Sequence, residues 1–288
     1  MPLVSIIMNC YNSARYLREA LDSVYQQTFK DYEIIFWDNQ STDDSGKIAK
    51  SYGEPLKYFR GETYLPLGAA RNAAIEKVTG KYIAFLDCDD IWLPEKLAKQ
   101  VALLESNQEL GLVYSDCYFI DSAGRMSEKT CFFHSKPFRG MAFNKLFQAN
   151  PIPLLTAIIT REAQKKARGF NPKYEIGEEY DLWLRIAEYY PIDFIDQLLG
   201  KYRIHGQSAT SKNRILSYKE DLQIRGCWLN KNPGLKKELG GRCKALKYWP
   251  TFLGALGNIY RNKSFKSIKE SVGLVKYMLL REYEKERR

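Results

Sequence analysis

Hydrophobic positions along the chain alternate between two periods. Residues 3–8 form a short apolar run of the kind a buried parallel strand needs. After a turn at 9–12, Tyr16, Leu17, Ala20, Leu21, Val24 and Tyr25 recur on one helix face, with Asn12 or Ser13 placed to cap its start. Residues 33–37 predict a second strand, followed by the cap-rich turn Asp38-Asn39-Gln40-Ser41-Thr42-Asp43-Asp44. A third strand is expected at 57–60 and a helix at 68–79, closed by Gly80. A fourth strand follows at 82–86, then a helix at 94–106 with Pro94 in its first turn.

Strands alternating with helices imply an α/β fold: a parallel sheet with helices on both faces. Ligands of such sheets bind beyond the carboxyl ends of the strands, so residues 9–12, 38–39 and 87–90 are expected to line one crevice. From about residue 110 the pattern turns to longer β-like stretches (111–120, 157–160, 192–195), a loop-rich segment and one helix at 180–189. From about 213 it becomes helical and basic.

Composition narrows the class. At 288 residues, 45% hydrophobic and 27% charged, the chain can bury a substantial core. No apolar run approaches the roughly 20 residues that span a bilayer, and residues 1–8 lack a basic leader region. A cytoplasmic protein is expected. The net charge of +10 is uneven: residues 211–288 carry 19 Lys/Arg against 7 Asp/Glu, while residues 1–210 are close to neutral. Such a tail reads either as interfacial helices at the inner face of an anionic membrane or as helices packed on the body with a solvated basic face. Nucleic acid is not an expected partner. Six scattered cysteines without a Cys-x-x-Cys pair, and only two histidines, exclude a zinc cage and read as reduced thiols.

The candidate chemistry centres on Asp87-Cys88-Asp89-Asp90. Three carboxylates in four residues are mutually repulsive unless a cation joins them, and hard oxygen ligands suit Mg²⁺ or Mn²⁺ shared with substrate phosphates. The competing reading is a helix N-cap ahead of Pro94. Gly177-Glu178-Glu179 likewise reads either as a catalytic carboxylate pair or as an acidic first helical turn. Asn9-Cys10-Tyr11-Asn12 has neither the glycine nor the cation of a triphosphate cradle, which argues against a nucleotidyltransferase.

Four segments, Val4-Ser5-Ile6-Ile7-Met8-Asn9-Cys10-Tyr11-Asn12, Asp38-Asn39-Gln40-Ser41-Thr42-Asp43, Gly68-Ala69-Ala70-Arg71-Asn72-Ala73-Ala74-Ile75 and Thr79-Gly80-Lys81-Tyr82-Ile83-Ala84-Phe85-Leu86-Asp87-Cys88-Asp89-Asp90, resemble in order and spacing the family 2 glycosyltransferases of the GT-A fold. The resemblance covers residues 3 to about 210. It implies a catalytic domain at 1–210, with a nucleotide-binding half (1–109) and an acceptor-side half (110–210), followed by a basic helical region at 211–288. It further implies an inverting transfer from a nucleotide-sugar donor, with UDP favoured, to a glycan or lipid-linked acceptor. Tyr11, with Asn9 and Asn12, would lie at the nucleobase and Asp38 would bind its imide edge. Arg71 would contact the nucleotide end of the donor, Asp87 with Cys88 the ribose, and Asp89 the Mn²⁺ or Mg²⁺. Glu179 would be the catalytic base, with Glu178 as alternative; the family more often has Asp at 179 and Gly at the position of Gln40. The segment Tyr202-Arg203-Ile204-His205 resembles the family's Tyr-Arg-x-His, which would put His205 at the metal or diphosphate and Arg203 nearby. Residues 151–156 fall where the acceptor-side loop begins. The alternative function is a catalytically silent nucleotide-sugar-binding scaffold.

Overall fold

A computed structural model describes residues 1–239, and the chain divides into two compact units, the first being Met1–Ser208 and the second beginning at Ala209. The first unit runs β1 (Val4–Cys10), α1 (Ala14–Tyr25), β2 (Tyr32–Asp38), α2 (Ser45–Lys50), β3 (Leu56–Arg60), α3 (Leu67–Ile75), β4 (Tyr82–Phe85), β5 (Ile91–Trp92) and α4 (Lys96–Ser106). It continues with β6 (Leu112–Ile120), β7 (Met126–Thr130), α5 (Cys131–His134), α6 (Phe143–Gln148), a 3₁₀ turn at Leu154–Thr156, β8 (Ile158–Thr160), α7 (Arg161–Ala167), α8 (Glu178–Ala187) and β9 (Ile192–Arg203). The second unit holds α9 (Ala209–Lys212), α10 (Arg214–Lys231) and α11 (Pro233–Leu239). No helix among the described residues is long and apolar enough to cross a membrane. The amphipathic stretches expected at 263–269 and 272–280 lie outside the described residues.

One sheet organises the first unit, in the order β3-β2-β1-β4-β8-β6-β9-β5, with β7 paired to β6. Strands β3, β2, β1 and β4 are parallel. These four form the parallel sheet expected of the first half; beyond them β8 runs antiparallel to both β4 and β6. No crossover helix carries the chain back before β8. It enters that strand from the carboxyl end of β4, pairing Ile158 with Ala84, which holds the 151–156 loop at the ligand-binding edge.

The alternating positions Val4, Ile6, Met8 and Cys10 pack with Leu17, Ala20, Leu21 and Val24 of α1 in one buried cluster, which Leu97, Val101 and Leu104 of α4 also join. The i, i+3, i+4, i+7 spacing of the α1 residues is what presents a single stripe to the sheet. On the opposite face α3 lies against β1 and β2, with Ala70 and Ala74 fully buried. Small residues there let the helix approach the strands closely.

Several local expectations are corrected. Neither Asn12 nor Ser13 caps α1 through its own side chain; Asp43 of the neighbouring loop accepts from the Ala14 N–H at 3.0 Å. Helix α3 ends at Ile75, short of Gly80, because the Glu33 carboxylate accepts from the Thr79 N–H at 2.9 Å and hydroxyl at 2.7 Å and turns the chain into β4. Gly80 serves packing instead: a Cβ there would lie 2.8 Å from the Ser5 nitrogen. Strand β9 is three times the expected length, since the register against β6 slips between Ser115 and Asp116 and passes over the polar Asp196-Gln197 pair.

Candidate active site

β1 lies between β2 and β4, so the three strand ends stand side by side at about 5 Å steps. Asp38 ends β2 fully buried. Its Oδ1 accepts from the Ser41 N–H at 2.7 Å, and its Oδ2 from the Tyr58 hydroxyl at 2.5 Å and the Arg60 guanidinium at 2.8 Å. This carboxylate organises the loop after β2, the turn expected beside the nucleobase. Asn12, at φ +50°, serves the same loop: its Oδ1 accepts from the Thr42 N–H at 2.8 Å. The Asn9 amide is buried at the strand end with no hydrogen-bond partner for either atom. Cys88 is buried, its thiol donating to the Asn9 carbonyl at 3.3 Å. Tyr11 is the group that this strand end exposes, and its ring meets Tyr64 edge-on with centroids 4.9 Å apart.

The end of β4 carries the acidic cluster, and the structure separates its members. Asp87 keeps its side chain 36% exposed while accepting from the Arg71 guanidinium at 2.9 and 3.2 Å. Asp89 faces His205, whose Nε2 lies 2.8 Å from its Oδ2. Burial and then the Asp87 charge raise the Asp89 carboxyl above its usual range, with His205 pulling the other way. Asp90 is buried and accepts from the Arg203 N–H at 2.8 Å, tying β9 to the acidic loop.

Arg203, expected at the diphosphate, makes its contacts here within the protein. The guanidinium is 1% exposed and donates to Glu19 Oε2 at 2.6 Å and to the Asp89 carbonyl at 2.8 Å, with Tyr16 stacked below it at 4.4 Å. It is a positioning residue that fixes the backbone from which Asp89 projects. Glu19 and Asp90 complete this support. Nothing in the sequence marked Glu19, which is one polar position among several on α1.

Arg71 is likewise committed. Its buried guanidinium joins Asp87 to Glu178, and although burial disfavours its charge, the two carboxylates outweigh this and hold it firmly protonated. The bridge links the nucleotide-binding strands to α8. It also separates the two candidate bases. Glu178 is buried in the ion pair with Arg71. Glu179 is half-buried, with the Leu154 backbone of the 151–156 loop near enough to favour its ionised form. Burial, reinforced by the Glu178 charge, pushes its carboxyl up to about 8 against the pull of Arg71, and Asp87 is close enough to add to the rise.

No group of three or more His, Cys, Asp or Glu side chains among the described residues forms a metal cage. Asp89 and His205 still offer an oxygen and a nitrogen donor at hydrogen-bond distance from each other, a pair that fits a hard divalent cation completed by phosphate oxygens and water. The five cysteines described are all free thiols, as their spacing implied.

The glycosyl transferase family 2 profile matches residues 5–163. An uncharacterised glycosyltransferase of Methanocaldococcus jannaschii is 32% identical over 265 residues, covering 88% of this chain and 87% of its own. The Escherichia coli enzyme WfgD, a UDP-Glc:α-D-GlcNAc-diphosphoundecaprenol β-1,3-glucosyltransferase, is 29% identical over 78% of this chain and 85% of its own. The mannosyltransferase PcManGT of Pyrobaculum calidifontis, solved with GDP-Man and Mn²⁺, superposes with a TM-score of 0.66 at 19% identity, covering 99% of this chain and 82% of its own. The mixed sheet is thus that of a GT-A transferase, and the chain belongs to glycosyl transferase family 2.

Proposed function

We propose that the protein is a metal-dependent, inverting transferase that moves a sugar from a nucleoside diphosphate donor, a UDP-sugar, to a hydroxyl of a glycan or lipid-linked acceptor. The observation that carries this reading is the pairing of one accessible carboxylate of raised proton affinity, Glu179, with the Asp89–His205 pair, Asp87 lying near both. WfgD is named for a UDP-sugar donor and a lipid-linked acceptor, and PcManGT was solved with Mn²⁺; both support the reading.

Glu179 takes the proton of the acceptor hydroxyl as that oxygen attacks the anomeric carbon. A carboxyl titrating near neutrality combines a useful ionised fraction with strong basicity. The 151–156 loop, whose Leu154 backbone lies near it, brings the acceptor beside it. Asp89 and His205 would hold the divalent cation, while Arg203 and Asp90 keep the Asp89 backbone in place. A bound cation supplies Lewis-acid stabilisation of the charge on the departing diphosphate. A single displacement, with attack on the face opposite the diphosphate, inverts the anomeric centre. The basic region at 211–288 supplies peripheral contact with an anionic membrane surface.

The test is nucleotide release from a panel of UDP- and GDP-sugars with Mn²⁺, in the wild type and in Glu179→Gln. Release from a UDP-sugar that falls at least a hundredfold in the variant supports the reading. Nucleotide binding with no turnover on any donor leaves the silent scaffold as the function.

A further inference from the structure

Two aromatic side chains stand exposed at the nucleotide-binding edge and touch each other. Tyr11 is 49% and Tyr64 58% exposed, with an interplanar angle of 63°. Tyr64 belongs to the loop between β3 and α3, and that loop is clamped. Both amide atoms of Asn39 are spent on one residue of it, Nδ2 donating to the Leu65 carbonyl at 2.7 Å and Oδ1 accepting from the Leu65 N–H at 3.0 Å. The loop's first residue donates from the Gly61 N–H to the Asp38 carbonyl at 3.0 Å and accepts from the Gln40 side chain. Gly61 also lies flat on Trp37, where a Cβ would be 3.3 Å from the indole ring. Gln40 adopts φ +69°, and its side chain bonds to both Gly61 and Arg60, so this backbone conformation is held by the loop it clamps. An exposed tyrosine on a loop fixed at both ends is an ordered stacking surface whose conformational cost is already met.

We propose that Tyr64 is a nucleobase-binding residue, forming with Tyr11 the aromatic surface on which the donor's base stacks. The inference rests on the nucleotide-sugar reading above. Position favours a base as the occupant: Tyr11 leaves the end of β1 and Asp89 that of the adjacent β4, so a nucleoside diphosphate with its phosphates at Asp89 extends its base towards the β2 side, where the Tyr64 loop lies. Electrostatics agrees, because the Asp38 carboxylate is buried and neutralised by Arg60, which leaves stacking as the main grip on the base. Stacking tolerates different bases, since each has a π-face.

The experiment is calorimetric titration of UDP, and separately of inorganic diphosphate, each with Mn²⁺, into the wild type, Tyr64→Ala and Tyr64→Phe. Tyr64 is more than half exposed, so truncation leaves no core cavity, and an unchanged Tm verifies the fold. The expected result is a loss of about tenfold in UDP affinity for Tyr64→Ala, the scale of one base–aromatic stack. Tyr64→Phe should stay within about threefold of wild type, and diphosphate should bind all three proteins alike. UDP affinity unchanged in Tyr64→Ala overturns the proposal, as does an equal loss for diphosphate, which would mark a purely structural role. A wild type that binds diphosphate but no nucleotide refutes the donor reading itself.

Discussion

Glu178 and Glu179 open the same helix and meet different environments. Glu178 is buried against Arg71, so it holds α8 to the end of β4; Glu179 is half-buried with its proton affinity raised. Glu179→Gln is expected to lower kcat by about 10²–10⁴ while leaving UDP affinity within twofold, the signature of a lost general base. Because the ionised form is the base, kcat/KM should rise with pH on a limb centred near 8. Stability should move the opposite way. A carboxyl raised from 4.5 to about 8 keeps its proton in the folded state through that window, so its contribution falls as pH rises. Glu179→Gln should therefore melt above the wild type near pH 9 and with it near pH 4. Glu178→Gln instead removes one partner of a buried ion pair and should cost about 3–5 kcal/mol in denaturant unfolding. Sequence spacing made the acidic pair legible as a unit. It could not say which member the ion pair takes, because that follows from where Arg71 of a distant helix reaches. The same limit explains Asp38, Arg71 and Arg203: their positions were legible, but their partners come from Tyr58, Arg60, Glu178 and Glu19, far away in the chain.

At the scale of elements, short apolar strands and the one-sided helix α1 were readable because each buries a periodic set of side chains. The boundaries that moved were set by tertiary hydrogen bonds. Glu33 ends the segment after α3 by binding Thr79, and the slip at Ser115 and Asp116 carries β9 past two polar residues that interrupt its pattern. That extra length is functional: it delivers Arg203 to Asp90 and leaves His205 at Asp89. Gly80 tests the account of the β1–β4 contact. Gly80→Ala places a Cβ 2.8 Å from one backbone nitrogen and 3.0 Å from the Leu3 carbonyl, neither of which can rotate away. A loss of about 1–3 kcal/mol is expected from denaturant unfolding, the usual cost of overpacking.

At the scale of the molecule, the first four strands are parallel and in register, so the ends of β1, β2 and β4 stand side by side as the strand-end rule requires. The strand at 158–160 was legible but its antiparallel direction was not, since three residues carry no signal of which neighbour they pair with; that direction brings the 151–156 loop near Glu179. The central claim is that Asp89 and His205 jointly hold a divalent cation beneath the donor's diphosphate. The most direct measurement is UDP binding with Mn²⁺ and then with excess chelator, in the wild type and in Asp89→Asn. UDP affinity should fall at least tenfold when chelator is added to the wild type, and Asp89→Asn should bind weakly with or without Mn²⁺. Equal UDP affinity in all four conditions would contradict the assignment.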